Sequence, residues 1–146
     1  MGGSQLMRKT TVYLLVLLCS LAAYGQKQPQ WRVVKSVSLL DQTEPISDTI
    51  LFTPPTIGVY RLSGYMAGTN LQSGTALEFY ISWTDVSGTP GSSSIVVQNQ
   101  IPSGTINPTV FAVRPGTPVV YHVQATPPPV GYTYILVFTV EKLQSD

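Results

Sequence analysis

His122 is the single histidine of the 146-residue chain and the side chain best suited to acid–base or metal chemistry. It alternates with Val120 and Gln124 in a β-like stretch, and no further His, Cys or clustered carboxylate lies near it in sequence, as a metal site would need. Asp48 or Asp85 could complete a Ser-His-Asp triad, but the chain has no Gly-x-Ser-x-Gly nucleophile motif. We therefore expect no catalytic residues, no metal site and no cofactor.

The acidic residues offer little further chemistry. Seven of them are scattered along the chain, without the spacing of paired glycosidase carboxylates. Asp85-Val86-Ser87-Gly88 could be half of a calcium loop, but with a single Asp it is more typical of a turn whose Asp side chain binds its own backbone. Arg61 and Glu78 are predicted to form an ion pair between adjacent strands.

Aromatic side chains are the strongest functional signal. Alternation places Tyr65 and Tyr80 on outer faces, where they could stack on sugar rings or pack against another subunit. Trp83 shares the phase of Phe79 and Ile81, so it is predicted to lie in the core, and Trp31 is expected at the edge of the domain. A carbohydrate site would combine Tyr65 and Tyr80 with the loops Asn70–Thr75 and Val86–Ser93.

Short β-rich runs separated by Gly- and Pro-containing turns must position these side chains. Eight such runs at even spacing predict an all-β fold of two antiparallel sheets, a sandwich or barrel, with almost no helix. The predicted strands are Trp31–Leu40, Asp48–Phe52, Gly58–Ala67, Ala76–Asp85, Ser94–Gln100, Thr109–Arg114, Pro118–Ala125 and Tyr132–Leu143.

Alternation also predicts which side chains form the core. In the third and fourth runs, the inward sets are Tyr60, Leu62, Gly64, Met66 and Leu77, Phe79, Ile81, Trp83. The last run carries Tyr132, Tyr134, Leu136, Phe138 and Val140 on one face. Ile135 and Val137 on its other face are apolar too, which indicates burial on both faces. In a two-layer sandwich, only a loop or another subunit can cover that outer face.

The first 25 residues have the layout of a cleavable secretory signal peptide. Arg8 and Lys9 precede the apolar run Val12–Leu18, and Ala23-Tyr24-Gly25 suits cleavage before Gln26. Met7 is an alternative start, and an uncleaved anchor or acylation at Cys19 is the less favoured alternative. After cleavage the chain has no cysteine and a net charge of −1, so disulfides are excluded and nucleic-acid binding has no electrostatic support. We expect export to the periplasm or the extracellular space.

Three motifs resemble the jelly-roll domains of the tumour-necrosis-factor and complement globular-head families. Gly58–Tyr65 after Pro54-Pro55 is similar to their Gly-x-Tyr strand, and Pro115–Tyr121 to their Gly-containing turn into a Val-rich strand. The run Tyr134–Leu143 resembles their C-terminal central strand. With Ile81–Gly88, the pattern is also similar to small jelly rolls of phage-derived and bacterial secreted structural proteins. The resemblance covers residues 31–143, and it implies a jelly roll that forms a homotrimer with the last strand near the three-fold axis.

Together these observations predict a signal peptide at 1–25, a polar lead-in at 26–30, a jelly-roll domain at 31–143 and a tail at 144–146. The predicted function is that of a secreted, non-catalytic structural or binding module that self-associates and presents loops to an extracellular partner. Tyr80, Ile135 and Val137 are predicted at the subunit interface. The alternative is a carbohydrate-binding sandwich, with Tyr65, Tyr80 and Asn70 as contacts. Fold alone does not decide between them.

Overall fold

The computed structural model describes residues 29–126 and 131–144. The predicted signal peptide, Cys19, both candidate start positions and the last two tail residues lie outside this part of the chain. Residues Trp31–Leu143 form one compact unit. The described residues contain eight strands and no helix, which confirms the predicted all-β fold class.

Eight strands follow one another in an order that pairs the first with the last. Their bounds are β1 Gln30–Gln42, β2 Ile46–Phe52, β3 Gly58–Thr69, β4 Ala76–Thr84, β5 Pro90–Gln98, β6 Ser103–Val113, β7 Val119–Thr126 and β8 Thr133–Gln144. Sheet 1 has the order β1-β8-β3-β6, and sheet 2 has the order β2-β7-β4-β5. Each sheet is one layer of a sandwich, and the core lies between the two layers.

Alternating side chains fill that core as the sequence predicts. Leu62 and Met66 of β3, the inward residues of β8 from Tyr134 to Val140, and Tyr132 just before β8 are all buried. The ring of Phe79 in β4 lies 5.0 Å from that of Phe138 in β8, so aromatic contacts join the two sheets. Trp83 differs from the prediction that it lies in the core. Its ring centroid lies 4.3 Å from that of Phe111, but the side chain is only half-buried, at the margin of the core.

Strand β6 differs most from the prediction, because it begins at Ser103 rather than at Thr109. Residues 103–108 include Gly104, Asn107 and Pro108, which are typical of turns. Gly104 is needed in the strand because a Cβ there would lie 2.8 Å from Cδ1 of Ile95. Between the pairs Leu62↔Thr109 and Gly64↔Ile106, β6 gains one residue. This bulge accommodates Pro108 on an edge strand.

The bounds of strand β5 also differ from the prediction. It begins at Pro90 and ends at Gln98, instead of spanning Ser94–Gln100. The predicted long loop Val86–Ser93 is therefore a tight turn over Asp85–Thr89, followed by strand. The serine-rich segment pairs with β4 in continuous register, from Trp83↔Gly91 to Ala76↔Gln98, although its small side chains give it a weak strand signal.

Candidate functional site

The outer face of sheet 1 carries an apolar block at the centre of its two inner strands. The block consists of Tyr65 and Ala67 of β3 and of Ile135 and Val137 of β8. Tyr65 lies directly opposite Val137, and Ala67 lies opposite Ile135. Tyr65 is 40% exposed and Val137 is 36% exposed, although both lie on strands with sheet neighbours on either side. Ala67 and Ile135 are half-buried. The outer face that the sequence predicts to be buried is therefore only partly covered in the single chain.

Paired polar side chains border the apolar block at both ends. At one end Ser63 and Thr139 share a hydrogen bond of 3.1 Å, and beyond them the Arg61 guanidinium contacts the Glu141 carboxylate at 2.7 Å. At the other end the hydroxyls of Thr69 and Thr133 are hydrogen-bonded. Within each pair, the polar groups satisfy each other's hydrogen bonds. The apolar block is therefore the part of this face whose burial would be most favourable.

The predicted ion pair between Arg61 and Glu78 is wrong. Arg61 lies in sheet 1 and binds Glu141, and its guanidinium also stacks over the ring of Trp31 at 4.6 Å. Glu78 lies in sheet 2 and accepts a hydrogen bond of 2.8 Å from the Gln124 amide. The prediction assumed that strands adjacent in sequence pair with each other, but β3 and β4 belong to different sheets.

Tyr80 lies on the outer face of sheet 2, with a different set of neighbours. Its ring stacks on the imidazole of His122 at 5.1 Å, and Nδ1 of His122 lies 3.0 Å from the Asp48 carboxylate. A bulge in β2, between Ile46↔Val123 and Thr49↔Tyr121, places Asp48 over β7. A shallow groove of about 380 Å³ runs beside this row, lined by residues 45–48 and 122–125.

The structure thus separates side chains that the sequence places in common sites. Ile135 and Val137 are together on sheet 1, whereas Tyr80 is on the opposite side of the sandwich from them and from Tyr65. Asn70 begins the loop after β3, with a left-handed φ of 57° that asparagine tolerates. Tyr65 and Asn70 lie on the sheet 1 side, and Tyr80 cannot share a small ligand with them.

Asp85 forms the turn that the sequence predicts. Its carboxylate accepts hydrogen bonds from the backbone N–H and hydroxyl of Ser87 and from the backbone N–H of Thr89, at 2.6–2.9 Å. These bonds, chiefly the one from the Ser87 hydroxyl, hold the pKa of Asp85 below its usual value. Across the described ranges, no group of three or more His, Cys, Asp or Glu side chains is arranged to hold a metal ion.

Two buried tyrosines near the start of β8 are a feature that the sequence shows only as core positions. The rings of Tyr132 and Tyr134 stack at 6.1 Å, and the Tyr134 hydroxyl donates to the carbonyl of Glu44 at 2.9 Å. The Tyr132 hydroxyl has no hydrogen-bond partner among the described residues. Burial raises the pKa of both phenols, most strongly that of Tyr134.

The strand order and the two packed sheets define the class of protein: an eight-stranded jelly-roll β-sandwich. The four successive pairs β4–β5, β3–β6, β2–β7 and β1–β8 are those of a long hairpin rolled into two layers. Within the described residues, no helix is long and apolar enough to cross a membrane.

Comparisons with known proteins give similarity in structure alone. The chain is similar to the VP2 subviral particle of infectious bursal disease virus and to the Gx strain of the same virus, each with 14% sequence identity and a TM-score of 0.39. Each match covers 80% of this chain and 33% of the viral chain, so the chain spans about a third of those proteins' length. No protein-family model matches the chain, and no curated protein sequence matches it.

Proposed function

We propose that the protein is a secreted, non-catalytic structural or binding module that self-associates as a homotrimer. The observation that carries this proposal is the apolar block on the outer face of sheet 1. Strands whose two faces are both apolar are typical of sheets covered on both sides, and a second copy of the chain is the cover that we propose. Loops at the ends of the sandwich would then be presented to an extracellular partner.

The contrast between the two outer faces supports this choice of surface. On sheet 2 the corresponding central positions carry Tyr80, Glu78, His122 and Gln124, which already pair with one another or with Asp48. Burying that face would cost the desolvation of two carboxylates, whereas burying the apolar block is favourable. The similarity of the sequence motifs to the tumour-necrosis-factor and complement-head jelly rolls supports a trimer with β8 near the axis.

The non-catalytic part of the proposal rests on the environment of His122. The carboxylate beside it belongs to Asp48, whose side chain is 79% exposed. A catalytic triad uses a buried carboxylate to orient its histidine. The Tyr80 ring stacks on the imidazole of His122, so we interpret Asp48, Tyr80 and His122 as a surface cluster.

Light scattering on a sizing column tests the self-association. We expect the wild-type mass to be three times that of the chain, and Val137→Lys to reduce it to one chain, because a buried unpaired ammonium is costly. Val96→Lys is the matched control, since Val96 is 46% exposed on the outer face of sheet 2. A monomeric wild type, or a trimer unaffected by Val137→Lys, would contradict the proposal.

Secretion is proposed from the leader sequence and needs its own test. We expect the exported protein to begin at Gln26, as determined by mass spectrometry of its N-terminal peptide. A protein that retains residues 1–25, or that carries a lipid on Cys19, would contradict cleavage before Gln26.

Carbohydrate binding is the second candidate function. It is favoured by the Tyr80–His122 stack, which lies beside the groove of about 380 Å³ together with Asp48 and Gln124. Tyr80→Ala and Tyr65→Ala are matched variants on opposite faces. On a glycan array, loss of a bound sugar in only the Tyr80 variant would support a site on sheet 2, and binding that survives both substitutions would exclude these tyrosines.

A further inference from the structure

We propose that the N-terminal half of β1, Arg32–Lys35, is the surface that covers the apolar block of the next copy in the trimer. This inference rests on the proposed self-association and identifies the second half of the contact. It makes the contact head-to-tail, with two different surfaces on each chain.

The symmetry of a trimer requires two different contact surfaces on each chain. A two-fold dimer can use one surface twice, because each copy offers the same patch to the other. A three-fold ring cannot, since the surface that one copy offers must meet a different surface on its neighbour. If the apolar block forms a trimer, the chain must therefore carry a second exposed surface that complements it.

The exposure of β1 marks it as that second surface. Adjacent residues of a strand point to opposite sides, yet Val33 is 61% exposed and its neighbour Val34 is 43% exposed. Residues 32–36 are all exposed, whereas β3, β4, β7 and β8 alternate between buried and more exposed positions. Residues 32–36 of β1 are thus exposed on both sides of the strand.

The other three sheet edges are less suited to association. Edge strands are commonly protected by bulges, proline or short length. The edge strand β2 has two register shifts, and β6 has the bulge that contains Pro108. The edge strand β5 is nine residues long and begins with Pro90. Strand β1 spans 13 residues, which makes it the longest of the four edge strands, and it contains no proline.

Charge is complementary between the two surfaces. Arg32 and Lys35 flank the two valines and are exposed. Asp41 is exposed and lines a small cavity of about 90 Å³ with Ala67 and Ile135, at the margin of the apolar block. The acidic group at the other margin, Glu141, is already paired with Arg61. A neighbour's β1 would thus bring Val34 onto the apolar block, with Arg32 on the same side of the strand and directed towards Asp41.

Disulfide trapping in the full chain tests this geometry. In a Cys19→Ser background, one tagged chain carries Val34→Cys and a differently tagged chain carries Val137→Cys. We expect a disulfide between the two different chains when they are co-expressed and oxidised, and none when either is expressed alone. Val96→Cys in place of Val137→Cys is the control and is expected to form no disulfide.

A mixing experiment makes the same test without cysteines. Val34→Lys and Val137→Lys each disable one surface, so each variant alone is expected to be monomeric. Mixed together they retain one intact junction, and the mass should double to that of a dimer. Disulfides only between two Val137→Cys chains, with none between Val34→Cys and Val137→Cys, would overturn this inference while leaving self-association intact. A monomeric wild type would instead remove the proposed function itself.

Discussion

Val96 and Val97 are neighbours of the same type on β5, and they differ only in burial. Val97 is fully buried opposite Leu77, whereas Val96 is 46% exposed opposite Glu78. The two substitutions Val97→Ala and Val96→Ala remove the same atoms from the same strand. They therefore isolate the effect of burial and test the register of β5, whose start and end differ from the sequence prediction.

The expected difference follows from the area removed from water. Two buried methyl groups account for about 1.6 kcal/mol of transfer free energy, and the cavity left behind raises the cost of Val97→Ala to about 2–3 kcal/mol. Val96→Ala should change the free energy of unfolding by less than about 0.5 kcal/mol. For a folded unit spanning Trp31–Leu143, the first value corresponds to a decrease in Tm of roughly 8–12 °C.

Thermal and urea unfolding, followed by far-UV circular dichroism, measure both effects. Because association would make Tm depend on concentration, both variants and the wild type are compared at several equal concentrations. A larger loss in Val96→Ala than in Val97→Ala would refute the register, since a slip of one residue exchanges the two faces of a strand. Equal small losses would refute the placement of β5 over the core.

Two further predictions concern β8 and its neighbour β3. Burial raises the pKa of the Tyr134 phenol, so above about pH 10 the unfolded chain loses this proton while the folded chain keeps it. The free energy of unfolding therefore falls as the pH rises. Tyr134→Phe should reduce the slope of that fall by up to about 1.4 kcal/mol per pH unit. An unchanged slope in urea titrations between pH 10 and 11 would contradict this assignment. Gly64→Ala should cost about 1–3 kcal/mol, because a Cβ there would lie 2.6 Å from Cβ of Phe138. The adjacent Ser63→Ala should cost about 1 kcal/mol or less, and equal losses in the two variants would argue against this close approach.

The sequence predicts the inward faces of β3, β4 and β8, apart from the half-buried Trp83, because large apolar residues recur there at most alternate positions. It misses the first half of β6, where Gly104 and Pro108 imitate a turn. These residues are tolerated because a neighbouring side chain lies close above the glycine and because the bulge lies on an edge strand. Alternation depends only on residues close in sequence, so it fails where a contact with another strand determines the structure.

The candidate site is predicted less completely, for a related reason. Alternation correctly places Tyr65, Tyr80 and Val137 on outer faces, but it contains no information about which sheet each strand joins. The separation of Tyr80 from Val137, and the binding of Arg61 to Glu141 instead of Glu78, depend on strand pairs that are far apart in sequence. The exposure of β1 is equally hidden, although the adjacent Val33 and Val34 indicate a strand without a single buried face.

The nested pairing of the strands sets the order in which the chain can fold as it is synthesised. The hairpin β4–β5 is local, and sheet 2 can be completed once β7 has emerged. Sheet 1 cannot, because β1 joins it only through β8, and the contacts between these strands span nearly the whole domain. Such long-range closure is slow, in the range of about milliseconds to seconds. A chain still lacking Tyr134–Leu143 thus has no completed first sheet, and the core between the two layers cannot close until its last strand is made.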